Sequence, residues 1–233
     1  MVDVLNRTGE IDYCCIGNHE ADIDFRQFCM RVKESKFTWI NSNIPELELK
    51  DAETFSKASA PEYVIIDLVS ENGSNKRKVA LLGLCTDDLS VFIPKPFQNA
   101  AIENPNRKAV QLYKKIMETE KVDLIIPMTH QLIREDRQLA AERLFPLILG
   151  GHEHEVFFEQ VDGCTIVKTG SEAAKFSVCD LTWDSHVATT PTLNATIEEV
   201  KNYASDEEIH AVVLSHKSLL DELKGKLFFV FTL

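Results

Sequence analysis

Short apolar runs alternate with amphipathic stretches along the chain, and the pattern outlines a mixed α/β protein. Met1–Thr8 reads as the end of a helix, with Val4 and Leu5 facing inward and Gly9 as its stop. Asp12–Ile16 reads as a short buried strand that runs straight into Gly17-Asn18-His19-Glu20. Phe25, Phe28, Cys29 and Val32 recur at helical spacing, which predicts a helix over Asp24–Lys33. Phe37–Asn41 follows as a strand, and Glu46–Pro61 is polar and without a period. Tyr63–Val69 and Lys78–Cys85 are β-branched apolar runs joined by Glu71-Asn72-Gly73-Ser74-Asn75, and Asn-Gly there signals a hairpin. Pro94–Pro105 reads as a loop before a helix over Asn106–Thr119, with Ala109, Val110, Tyr113 and Ile116 on one face. Val122–Met128 is almost continuously apolar, as a strand covered on both faces requires. Leu132–Arg143 is helical in pattern, and Pro146–Leu149 is again a buried strand. Beyond Glu155 come short strands at Val156–Gln160, Thr165–Lys168 and Phe176–Trp183, with a turn at Asp162-Gly163. Ser205 and Glu208 form a capping box that opens a helix to about Leu223, ahead of the apolar, β-prone Leu227–Phe231.

A chain of 233 residues can build one substantial core. With 37 acidic and 25 basic residues the net charge is −12, which argues against nucleic acid or an anionic membrane as the main partner. The same field repels a phosphate ester unless local cations cancel it. No run approaches the roughly 20 apolar residues of a membrane span. Met1-Val2-Asp3-Val4-Leu5-Asn6 has neither the basic start nor the apolar stretch of a signal peptide. The expectation for the chain as written is therefore cytoplasmic, with secretion or surface attachment left open for a longer product. Cys14, Cys15, Cys29, Cys85, Cys164 and Cys179 form no C-x-x-C pair and read as reduced, buried thiols.

The chemistry concentrates in three motifs that each follow a buried strand: Gly17-Asn18-His19-Glu20, Thr129-His130 and Gly150-Gly151-His152-Glu153-His154. Neutral imidazole is the commonest protein ligand of catalytic metals. Histidines just past strand ends can converge on one edge of a sheet, where α/β proteins build their sites. His152 and His154 are two residues apart, so they point the same way in an extended segment or serve neighbouring metals in a turn. The two preceding glycines let the backbone bend sharply beside them. An Asn18 carbonyl can ligate a metal, and His19 beside it can donate to a phosphoryl oxygen or leaving group.

Taken in order, these motifs resemble the calcineurin-like metallophosphoesterases, and most closely their 5′-nucleotidase branch. Met1–Asn6, Asp12-Tyr13 and Gly17-Asn18-His19-Glu20 match one segment of that pattern. Thr129-His130 followed by Glu135-Asp136-Arg137-Gln138-Leu139-Ala140 matches a second, and Leu147–His154 a third. Lys168-Thr169-Gly170-Ser171 matches the glycine turn that closes the domain. The resemblance runs to about residue 185 and implies an αββα four-layer sandwich with two divalent metal ions, of Zn, Mn, Fe or a similar kind. It implies that Asn18, His130 and His152 bind one metal and His154 the other. His19 would contact the phosphate and assist the leaving group, oriented by Asp22. The implied activity is hydrolysis of a small phosphate ester, in particular a nucleotide, by attack of a metal-activated hydroxide on phosphorus.

The family's Asp-x-His and Gly-Asp motifs precede its G-N-H-E motif, and neither stands before Gly17 here. The expectation is therefore an N-terminally truncated domain over 1–185, with 186–233 as a helix-bearing extension toward a missing second domain. The alternative is an inactive fragment or pseudoenzyme that serves as a metal- or partner-binding module.

Overall fold

The computed structural model describes residues 2–47, 60–70, 73–93, 96–185 and 187–222. The apolar Leu227–Phe231 lies outside the described residues, as do most of the polar stretch 46–61 and Glu71-Asn72 of the hairpin loop.

The elements run α1 (Val2–Thr8), β1 (Tyr13–Cys15), α2 (Phe25–Glu34), β2 (Thr38–Ile40), β3 (Tyr63–Val69), β4 (Lys76–Cys85) and α3 (Pro105–Thr119). They continue as β5 (Leu124–His130), α4 (Ile133–Ala141), β6 (Leu147–Gly151), β7 (Val156–Val161), β8 (Cys164–Thr169), β9 (Lys175–Thr182), β10 (Thr192–Glu199) and α5 (Glu207–Ser215). A six-stranded sheet in the order β3-β4-β5-β6-β8-β7 forms the centre, and β1-β2 and β9-β10 form two separate pairs. The neighbours β4-β5, β5-β6 and β6-β8 are parallel, so β4, β5 and β6 end on one edge of the sheet.

Side-chain alternation assigns each face of that sheet. Ala80, Leu82 and Leu84 of β4 and Ile125 of β5 pack against Ala109, Leu112 and Ile116 of α3 and Leu139 and Ala140 of α4. Their sequence neighbours Val79, Leu81, Leu124 and Ile126 point the other way, toward Ile40 of β2 and Cys179, Leu181, Leu193 and Ile197 of the β9-β10 pair. Outside β1-β2, Phe28, Cys29 and Val32 of α2 pack with Ile16 and Trp39. The result is four layers: helix, sheet, sheet, helix. The layers approach closely at Gly83, where an added Cβ would stand 2.4 Å from the Ile40 carbonyl oxygen.

Most of the predicted elements form within one or two residues of their expected bounds. In α3 the buried face is Pro105, Ala109, Leu112 and Ile116, so Leu112 takes the place expected of Val110. The cap of α5 is Asp206 rather than Ser205, its side chain accepting from the Ile209 N–H. Strand β10 has no counterpart among the expected elements. It pairs antiparallel with β9 along its whole length, from Thr192–Thr182 to Glu199–Lys175. All six cysteines are free, three of them buried. Among the described residues no helix is long and apolar enough to cross a membrane.

Candidate active site

β1, β5 and β6 each deliver one of the three motifs to the same edge. β1 ends at Cys15, and a single 3-10 turn, Asn18–Ala21, follows at once. Its entry is fixed by Glu20, whose Oε2 accepts from the Gly17 N–H at 2.6 Å. Asn18 is buried, and its Nδ2 donates to the Val91 carbonyl at 3.2 Å. That bond settles which way the amide faces, and its Oδ1 lies 2.8 Å from His130 Nε2. His130 is the last residue of β5 and pairs in register with Gly151 of β6. His152 follows directly, and its ring stands edge-on to that of His130, centroids 5.1 Å apart.

Glycine is required here by space. A Cβ at Gly17 would lie 2.8–2.9 Å from three atoms of the His130 ring. His152 itself has φ 85°, a left-handed backbone that costs a non-glycine residue on the order of 1–3 kcal/mol. Burial first, and then the nearby charges of His152, His19 and Lys168, push the His130 pKa down to about 4. Burial likewise lowers that of His152. Both imidazoles are therefore neutral at neutral pH, the form in which histidine binds metals.

At the mouth, His19 is exposed and its Nδ1 lies 2.6 Å from Asp22 Oδ2. An ionised carboxylate can only accept, so Nδ1 carries the hydrogen and Nε2 is the nitrogen left to exchange a proton. Beside Asp22 opens a cavity of about 480 Å³, lined in part by Ile23, Phe25, Phe97 and Gln98. A larger cavity, about 1290 Å³, lies by Arg77 and Trp183, and none of the predicted site residues lines it.

Asn18, His130 and His152 thus come together, with His19 and Asp22 paired beside them. His154 is exposed on the same turn as His152. Asn18 Oδ1 and His130 Nε2 are hydrogen-bonded to each other at 2.8 Å, and both are donor atoms that a bound cation could engage in place of that bond. Three neutral donors fit one divalent cation in part. Among the described residues, no group of three His, Cys, Asp or Glu side chains converges as a metal cluster.

Beneath the histidines lies a polar group built from motif residues to which the sequence assigned no role: Lys168, Asp136 and Glu153. Lys168 of β8 is wholly buried. Its Nζ pairs with Asp136 Oδ2 at 2.8 Å and with the Glu153 carboxylate, and it donates to the carbonyls of Gln131 at 2.5 Å and Gly151 at 2.9 Å. Asp136 Oδ1 accepts from Thr129 Oγ1 at 2.7 Å and from Gln131 Nε2 at 2.9 Å. In the sequence Lys168 shows as a lysine closing the apolar run Thr165–Lys168 and as the first residue of Lys168-Thr169-Gly170-Ser171, and neither feature says that it is buried.

No family model matches the chain. A solved structure of the calcineurin-like phosphoesterase YfkN from Bacillus subtilis superposes with a TM-score of 0.74 over 96% of this chain and 74% of that one, at 21% identity. This is the calcineurin-like phosphoesterase fold. A 5′-nucleotidase precursor from Thermus thermophilus shares the fold, with a TM-score of 0.72, 17% identity, 91% of this chain and 44% of that one. In sequence, the trifunctional nucleotide phosphoesterase protein YfkN of Bacillus subtilis (strain 168) is 32% identical over 121 residues, 48% of this chain and 8% of that protein. Protein UshA of Yersinia enterocolitica is 28% identical over 159 residues, 62% of this chain and 26% of its own length. The chain spans about a quarter or less of these curated relatives. The relatives bear out the resemblance read from the motifs, and phosphoesterases and nucleotidases of this fold are hydrolases.

Proposed function

We propose that this chain carries the catalytic face of a metal-dependent phosphoric monoester hydrolase of the 5′-nucleotidase type, acting on nucleotides. The observation that carries this reading is the meeting of Asn18 Oδ1, His130 Nε2 and the His152 ring at the ends of three strands, with the His19–Asp22 pair alongside. Asn18, His130 and His152 would hold one divalent cation, and His154 would serve a second. When bound, such ions supply a water of lowered pKa and neutralise charge on phosphoryl oxygens. Asn18 is held by Val91, so its oxygen is oriented before any ligand arrives. In its doubly protonated form His19 would give the Nε2 proton to the leaving oxygen and relax to the neutral ring, while Asp22 holds Nδ1–H throughout and so fixes the ring. The cavity beside Asp22, with Phe25 and Phe97 among polar groups in its wall, would give the base of a leaving nucleoside room. Residues 1–185 would form the catalytic body and 186–233 an extension anchored to it through β10.

The test uses the purified chain loaded with Zn²⁺ or Mn²⁺ and a nucleoside monophosphate as substrate. His19→Ala should lower turnover about 10²–10⁴-fold and leave metal content unchanged. His152→Ala should lower metal content first. A wild-type chain that takes up less than half a metal and releases no phosphate would sink the reading and leave a non-catalytic binding module in its place.

A further inference from the structure

The buried ammonium of Lys168 touches the chain on one side of His130 and on both sides of His152. Gln131, whose carbonyl it binds at 2.5 Å, immediately follows His130. Gly151, whose carbonyl it binds at 2.9 Å, immediately precedes His152, and Glu153, whose carboxylate it also binds, immediately follows it. Between those last two contacts the backbone at His152 is left-handed, φ 85°. Such a conformation persists only where the surroundings hold it. The remaining contact, to Asp136, anchors the ammonium to α4, and Asp136 in turn takes hydrogen bonds from Thr129 and Gln131 on either side of His130. The Glu153 carboxylate is fixed from its other oxygen by the Ile133 N–H at the start of α4. Space has been cleared for the lysine as well: a Cβ at Gly150 would stand 2.7 Å from Lys168 Cε.

Hydrophobic packing does not account for a lysine here. A buried ammonium and carboxylate pair is a weak source of stability, because desolvation offsets most of the attraction. What this one does is join the ends of three strands and one helix at a single atom.

We propose that Lys168 is a positioning residue, whose ammonium ties the ends of β5 and β6 to Glu153 and thereby sets where His130 and His152 stand. The proposal rests on the reading of those histidines as cation donors. Hydrogen bonds that orient metal ligands from behind are commonly worth about 10–100-fold in metal affinity.

The experiment compares the wild-type chain with Lys168→Met combined with Asp136→Asn, so that the wholly buried Asp136 is not left as a lone charge, and with Glu153→Gln, which keeps the Lys168–Asp136 pair intact. Co²⁺ is titrated into each, its visible absorption reporting both affinity and donor geometry. Hydrogen exchange across residues 150–154 is measured without metal, with α3 as the internal reference. The expected result is Co²⁺ binding weakened about 10–100-fold, altered absorption bands and faster exchange at 150–154, with α3 unchanged. Wild-type exchange at 150–154 in a folded variant overturns the proposal, and so does faster exchange with unaltered Co²⁺ affinity and spectrum. If the double variant does not fold, Glu153→Gln decides by the same criteria. His152→Ala is titrated alongside. Should it bind Co²⁺ as the wild-type chain does, the donor reading fails, and exchange alone then judges Lys168.

Discussion

Gly17 and Asp22 act on the two working histidines in opposite ways, one by leaving space and the other by filling it. Gly17→Ala would drive a methyl to within 2.8 Å of the His130 ring, which is backed by Gly151 with a Cβ position 3.3 Å from His130 Nδ1. The ring has to move, so metal affinity should drop at least about tenfold, read by titration. Asp22→Asn keeps the shape but can donate to Nδ1, so the tautomer is no longer fixed. Turnover should fall about tenfold or more while metal content holds, and equal losses of both would count against the orienting role. At this scale the sequence announces the histidines, because glycine and histidine past an apolar run form a local pattern. It marks Lys168 only as the start of a turn motif and does not announce its buried partners Gln131, Asp136, Gly151 and Glu153, which lie 15 to 37 positions away. A contact network across that distance leaves no period to read.

Among the elements, α2 begins where the sequence places it because Asp24 caps it, its carboxylate accepting from the Arg26 N–H at 3.0 Å. Asp24→Ala should cost about 1 kcal/mol, measurable as a lower urea midpoint. Gly83→Ala is a harsher change. The Ile40 carbonyl it meets is backbone and cannot swing aside, so about 1–3 kcal/mol of overpacking is expected together with loosened contact between β2 and β4. Elements with long apolar periods, such as β5 and α3, are readable from sequence. Strand β10 is not, although Leu193, Ala195 and Ile197 alternate along it. Its polar neighbours Asn194 and Glu198 are poor strand formers, and only pairing with β9 makes the segment a strand. The grouping of strands into one large sheet and two pairs is equally invisible, since pairing partners are chosen by the tertiary fold.

For the whole molecule, acid is the informative perturbation. Burial raises the carboxyl pKa of Asp123, but the Lys78 N–H and the Arg77 guanidinium more than offset it, so it titrates below the usual carboxylate range. A carboxyl with a depressed folded-state pKa stabilises the fold above its unfolded pKa, about 3.9, and loses that contribution as pH falls through the folded value. Urea midpoints measured from about pH 6 down to about pH 3 should therefore decline, and Asp123→Asn should flatten the decline. An unchanged slope would mean that the bond between the β3-β4 hairpin and the start of β5 adds nothing in solution.

Heat, by contrast, selects against the site. His152 is held in a backbone shape that glycine adopts freely, so His152→Gly should relieve the distortion and raise the melting temperature while removing an imidazole from the cluster. A library sorted only for survival at high temperature would drift toward glycine at this position. Durability and chemistry pull this protein toward different residues at position 152, and any laboratory evolution of it would have to reward both at once.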